Sequence, residues 1–146
     1  MINSMEKALI LSYAYHDVDI LELQVSAWNG CFGGATRLYV GREELGNIVE
    51  MMNGFPLDPR DEREVILGAF GAQFAGGAAR LRFYCKDSAG HAVIEVHLEG
   101  DCFGRAVTES VRMNASIEPA SIDSFLPELN LIGKQLSGSA ALHFEN

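Results

Sequence analysis

Residues 19–28 alternate: Leu21, Leu23, Val25 and Ala27 fall on one side of an extended chain, and Glu22, Gln24 and Ser26 on the other. A period of two is the signature of a half-buried strand. Upstream, residues 7–15 form an apolar run with tyrosines, which predicts a first strand. Downstream comes Asn29-Gly30, a strong hairpin signal, because a type I′ turn needs positive φ at both central positions. A two-residue loop sets Trp28 opposite Cys31, Leu21 opposite Leu38, Leu23 opposite Thr36 and Glu22 opposite Arg37. Apolar then meets apolar, and acid meets base. Gly33-Gly34 leaves room for a bulge that would change this count.

The period then lengthens. Over 42–53, Leu45, Ile48, Val49 and Met52 share one helical face, Glu43 and Glu44 sit where the helix dipole favours negative charge, and Gly54 with Pro56 supplies a stop. Residues 57–63 read as a polar loop, 63–70 as a short strand and 71–79 as a turn or irregular crossing made of small residues. A second hairpin follows: Leu81, Phe83 and Cys85 alternate with Arg80, Arg82 and Tyr84, and Ile94, Val96 and Leu98 with Glu95, His97 and Glu99. An odd loop would put Glu95 on the apolar face opposite Phe83. Parity therefore predicts two or four loop residues, and with four Arg82 faces Glu95.

After a turn at 100–105, residues 107–117 predict a long strand carrying Val107, Val111, Met113, Ala115 and Ile117 on one face, interrupted by Glu109 either through a bulge or near the open end of the sheet. Ile122, Phe125, Leu126, Leu129, Ile132 and Leu136 follow helical spacing, with Ser121 or Ser124 as the expected N-cap. Pro127 would clash in a helix interior, so the helix either starts near Ser124 or kinks. Residues 142–144 can add a last strand. The expectation is one α+β domain over 1–146: a mainly antiparallel sheet of about six to eight strands built from hairpins, with two helices at about 42–53 and 121–136.

The chain has 146 residues, 48% hydrophobic and 21% charged, enough for a core without metal or disulfide staples. Its formal net charge is −9, which repels nucleic-acid backbones and anionic membranes and favours a basic protein partner. Three cysteines at wide spacing (Cys31, Cys85 and Cys102) argue against a disulfide framework and for a reducing cytoplasm. The start of the chain reads as a first strand and not as a secretory leader. The longest charge-free stretch, 65–79, is too short and glycine-rich to span a bilayer. Asn114-Ala115-Ser116 matches a glycosylation sequon, which without secretion has no consequence.

No motif for catalysis, cofactor or metal survives inspection. His91 and His97 share a strand parity but lie about 20 Å apart when extended, and Cys85 points to the opposite face. A zinc site would need diverging ligands, and His97 reads more simply as a solvated face residue. No GxSxG elbow is present. Cys31 is a possible thiol nucleophile, but reads more simply as a small buried hydrophobe. The acids at 17–22, 58–62 and 95–101 look like a solvated surface. Gly68-Ala69-Phe70-Gly71 and Gly76-Gly77 match neither GxGxxG nor a P-loop, and instead suit close chain crossings. Phe32 reads as core. Trp28, Glu22 and Tyr39 are the candidate partner-binding residues, since Trp and Tyr are favoured at interfaces.

The order of elements carries a resemblance. A strand, a hairpin and a helix precede a Gly-His-Ala-Val-Ile-Glu-Val-His-Leu strand at 90–98. A long strand and a Phe125-Leu126-Pro127-Glu128-Leu129 helix follow. This layout resembles the small bacterial immunity proteins of polymorphic toxin systems, in particular the immunity family associated with the wall-associated toxin WapI. The resemblance implies a protein that binds and neutralises a toxin domain without catalysis, and carries over no functional residue. The alternatives are a small-molecule-binding or enzymatic α+β domain with its site between sheet and helix, and a structural homodimer joined through an edge strand.

Overall fold

The computed structural model describes residues 5–146; Met1–Ser4, part of the start read above as no leader, lie outside the described residues. The chain order is β1 (Ala8–His16), β2 (Ile20–Trp28), β3 (Gly33–Gly41), α1 (Glu44–Met52), β4 (Glu62–Gly68), β5 (Ala78–Cys85), β6 (Ala92–Glu99), β7 (Ser110–Ile117), α2 (Pro119–Gln135) and β8 (Ser139–His143). The α+β class and the eight antiparallel strands match the sequence expectation. The single sheet does not: the strands form two four-stranded sheets, β3-β2-β1-β8 and β4-β5-β6-β7. Alternation reports only that a strand buries one face, and one large sheet or two facing sheets satisfy it equally.

The first hairpin keeps its faces and changes its register. Trp28 pairs with Gly33, Leu21 with Val40, Leu23 with Leu38 and Glu22 with Tyr39, so the loop has four residues and not two. The cause is Asn29. Its side-chain Oδ1 accepts the backbone N–H groups of Cys31 and Phe32 at 2.9 and 2.8 Å, and its own N–H donates to the Phe32 carbonyl at 3.1 Å. This Asx-type closure is a local alternative to the type I′ turn. Gly30 still takes positive φ, +99°. Because the shift is two residues, Leu21, Leu23, Val25 and Ala27 remain fully buried, and Arg37 still reaches Glu22 diagonally at 3.6 Å.

The second hairpin follows parity. Phe83 pairs with Ile94 and Arg82 with Glu95, and the Lys86 N–H donates to the His91 carbonyl at 2.9 Å, closing a four-residue loop over Asp87–Gly90. Two other expectations are corrected. β7 begins at Ser110 and not at Val107, so Glu109 stands just beyond the open end of the sheet, without a bulge, and the exposed Val107 precedes the strand. α2 has Glu118, and not Ser121 or Ser124, at its N-cap position, without a side-chain cap bond, and Pro119 in its first turn. A proline at N1 loses no hydrogen bond. Pro127 is accommodated inside α2 because it and Asp123, whose carbonyl loses its partner, both face solvent.

One glycine-lined crossing joins the sheets. Gly68, Ala78, Glu99 and Ser110 form a cross-strand row at one end of the second sheet, and β3 runs along that row. Leu38 lies against Gly68, the Gly77 N–H donates to the Arg37 carbonyl at 2.7 Å, and the buried Thr36 hydroxyl donates to the Glu99 carbonyl at 2.9 Å. Gly34 meets Val111. Moving from 38 to 34 along one strand thus visits all four strands of the other sheet, which is a steep crossing. On the other side α1 and α2 close the core with Leu45, Ile48, Met52, Ile122, Phe125, Leu129 and Ile132. Where α1, α2 and β1 meet the second sheet, between Leu11, Ile48, Phe83 and Phe125, the free space is about 10 Å³, no more than one water would need.

A Cβ at Gly77 would collide with the Thr36 hydroxyl and with the carbonyls of Glu99 and Arg37. Gly77→Ala is therefore expected to destabilise the fold by about 1–3 kcal/mol through overpacking of backbone that cannot retreat, measured as a lowered urea midpoint. An unchanged midpoint would show that β3 does not lie against that row.

Candidate partner-binding face

The even-numbered residues of β2 and the odd-numbered residues of β3 point away from the core, on the outer face of the first sheet. Trp28, Glu22 and Tyr39 all lie on this face. Glu22 and Tyr39 are direct cross-strand partners, whereas Trp28 stands at the far end of β2, opposite Gly33 on β3 and Ala8 on β1. The structure therefore places the three on one surface but splits them into two places.

At the Trp28 end the face is hollow. A groove of about 610 Å³, lined mainly by apolar groups, runs over Ala8, Ile10, Ser26, Gly33 and Ala35, with Met5 and Trp28 at its sides and Glu6 at its rim. Small side chains on three adjacent strands keep the floor low. The indole is half-buried because it leans over Gly33, where a Cβ would stand 2.7 Å from its ring. Glu6 is held by His143, whose Nδ1 lies 2.7 Å from its carboxylate. At the other end, Tyr39 is 44% exposed and packs against Gly76. Glu22 is largely covered, with 18% of its side chain exposed, facing Arg37.

Two aromatic and thiol expectations fail here. Phe32 is 62% exposed instead of core, and Cys31 is exposed instead of buried. Both sit in the four-residue loop that Asn29 closes, so the register shift moves them off the strand and into solvent. The floor of the groove was missed from sequence because alanine, serine and glycine carry no pattern of their own. The signal was the even parity of Ala8, Ile10, Ser26 and Trp28, which needed the correct register to align with Gly33 and Ala35.

The histidines do not converge. His16 Nδ1 bonds the Tyr13 hydroxyl at 2.7 Å, His91 pairs with Asp87 at 2.6 Å, His143 holds Glu6, and His97 stacks on Phe70 at 4.9 Å between ring centroids. The hydrogen bond from His91 holds the Asp87 carboxyl below its ordinary range. Among the described residues no three of His, Cys, Asp and Glu are grouped as metal ligands would be, and no helix is long and apolar enough to cross a membrane. The outer face of the second sheet carries ion pairs instead, Glu64–Arg80 at 2.7 Å and Glu62–Arg82 at 2.9 Å. Comparison with known proteins gave no match to any family model, curated protein or solved structure.

Two outcomes follow from this geometry. Gly33→Ala is expected to push the indole off β3, read as a red-shifted emission maximum and stronger iodide quenching of the only tryptophan; an unchanged spectrum would place the ring elsewhere. His97 is expected to titrate below the ordinary value near 6.5, first because burial penalises its charged form and then because Arg112 repels it. The unfolded chain takes up that proton more readily, so His97 costs stability as pH falls from about 6.5 through the folded value. A ring-proton NMR titration with a midpoint at or above 6.5 would contradict this.

Proposed function

We propose that this chain is a non-enzymatic protein-binding domain, and that its groove beside Trp28 receives an apolar side chain from a basic partner. The observation that carries the reading is the groove itself: about 610 Å³ of mainly apolar concavity on a chain of net charge −9. Tryptophan at the edge of such a hollow is the residue type that anchors interfaces, because it offers large area at low entropy cost. The acidic surface supplies attraction at long range and the groove supplies short-range complementarity. The resemblance to immunity proteins makes a basic toxin domain, in a bacterial cytoplasm, the partner of first interest. A toxin-like reading frame beside the gene would identify it.

The protein immobilised at low ionic strength is expected to retain a basic protein and to release it as salt rises. Ala35→Arg, which fills the groove from an exposed strand position, should weaken that retention by at least about tenfold, roughly 1.4 kcal/mol, with an unchanged denaturation midpoint. Trp28→Ala should act in the same direction. Failure to retain any protein, or retention indifferent to Ala35→Arg, overturns the reading.

A further inference from the structure

The two sheets have four edge strands, and three of them are hydrogen-bonded by something else. At β8, the Ala141 N–H donates to the Glu128 carboxylate of α2 at 3.1 Å. At β7, the Asn114 carbonyl accepts from Asn29 Nδ2 at 3.0 Å and the Ser116 carbonyl from the Glu145 N–H at 2.8 Å. At β3, the Arg37 carbonyl accepts from Gly77. β4 differs. It pairs with β5 on one side in unbroken register, and among the described residues no hydrogen bond outside that ladder reaches the backbone of residues 63–67. The strand has no proline, lysine or bulge to blunt it. Beside its free edge runs a groove of about 220 Å³ between β4 and α1, walled by Ile48, Met51, Val65 and Ile66 with Glu44 and Glu64 also lining it. Ile66 and Met51 are 49% and 43% exposed.

We infer that β4 is a strand-addition site, where an extended segment of another protein, alternating basic and apolar residues, pairs with residues 63–67. Main-chain hydrogen bonds to the open edge supply affinity, and alternate side chains supply selectivity. The apolar residues of the incoming segment lie on the inner face, in line with Val65, and cover Ile48 and Met51 in the groove beside α1. Its basic residues face Glu62 and Glu64, whose side chains remain 56% and 40% exposed after pairing with Arg82 and Arg80. A second copy of this chain is the poorer occupant, because it brings the same acidic edge and another net charge of −9 against this one. The site lies on the other sheet from the Trp28 groove and does not depend on it.

The test uses a short end-blocked peptide of alternating lysine and valine, with a control N-methylated at every second residue, followed by calorimetry and amide hydrogen exchange. The peptide is expected to bind, the N-methylated control at least about tenfold more weakly, and every second amide within residues 63–67 to gain protection. Ile66→Lys, at an exposed position in the same outward row as Glu62 and Glu64, repels the peptide's lysines and should weaken the protection at least about tenfold without lowering the denaturation midpoint. No binding at millimolar peptide overturns the inference. So does protection confined to the Trp28 groove, or β4 protection that appears with rising protein concentration and no peptide, which would make a second copy the occupant.

Discussion

The crossing of β3 over the ends of β4, β5, β6 and β7 is the constraint on which the rest of the structure rests. Two backbones can approach that closely only where a side chain is missing, and Gly77, Gly68 and Gly34 are the residues that meet Arg37, Leu38 and Val111 there. The Thr36 hydroxyl bonding the Glu99 carbonyl satisfies a polar group that the contact would otherwise leave buried and unpaired. Once β3 lies across that row, the two sheets diverge on its far side, and the wedge between them has to be filled. α1 and α2 fill it with leucine, isoleucine, methionine and phenylalanine, leaving almost no free volume.

That arrangement decides what faces outward. The core consumes the odd-numbered residues of β2 and the even-numbered residues of β3, so Trp28, Ser26, Ala35 and Gly33 are left on the open face of the first sheet. Their small sizes cost nothing in core packing and create the groove. On the second sheet Glu62 and Glu64 of β4, Arg80 and Arg82 of β5 and Glu95 of β6 face outward and pair across strands, at little net energetic gain. The concavity and the paired charges are thus opposite answers to the same question of what to do with a sheet's second face.

The sheet edges show the same economy. Asn29 does two things at once: its Oδ1 closes the hairpin loop, and its Nδ2 caps the edge of β7. Glu128 on α2 blocks β8. Arg63, the second residue of the open strand β4, spends its guanidinium on Asp61 and on the carbonyls of Met51 and Asn53 at the end of α1. It anchors the strand in place beside the helix while leaving the strand's own outer backbone unpaired.

Local pattern determined much of this protein. Period-two alternation located most strands and their buried faces, helical spacing located both helices, and parity limited the second hairpin to a loop of two or four residues, of which the structure has four, because a one-residue slip would bury Glu95 against Phe83. The small-residue run at 71–79 was legible as a close crossing. Three things lay outside what alternation can encode, two of them tertiary and one a side-chain closure within the first turn. The division into two sheets depended on which strands cross, a contact between residues distant in sequence. The first hairpin's register depended on the Asn29 side chain competing with the backbone turn, where a two-residue shift leaves every face unchanged and so leaves no trace in the pattern. The groove depended on that register, since Trp28 opposite Cys31 has no hollow beside it, whereas Trp28 opposite Gly33 has room for the indole to lie down.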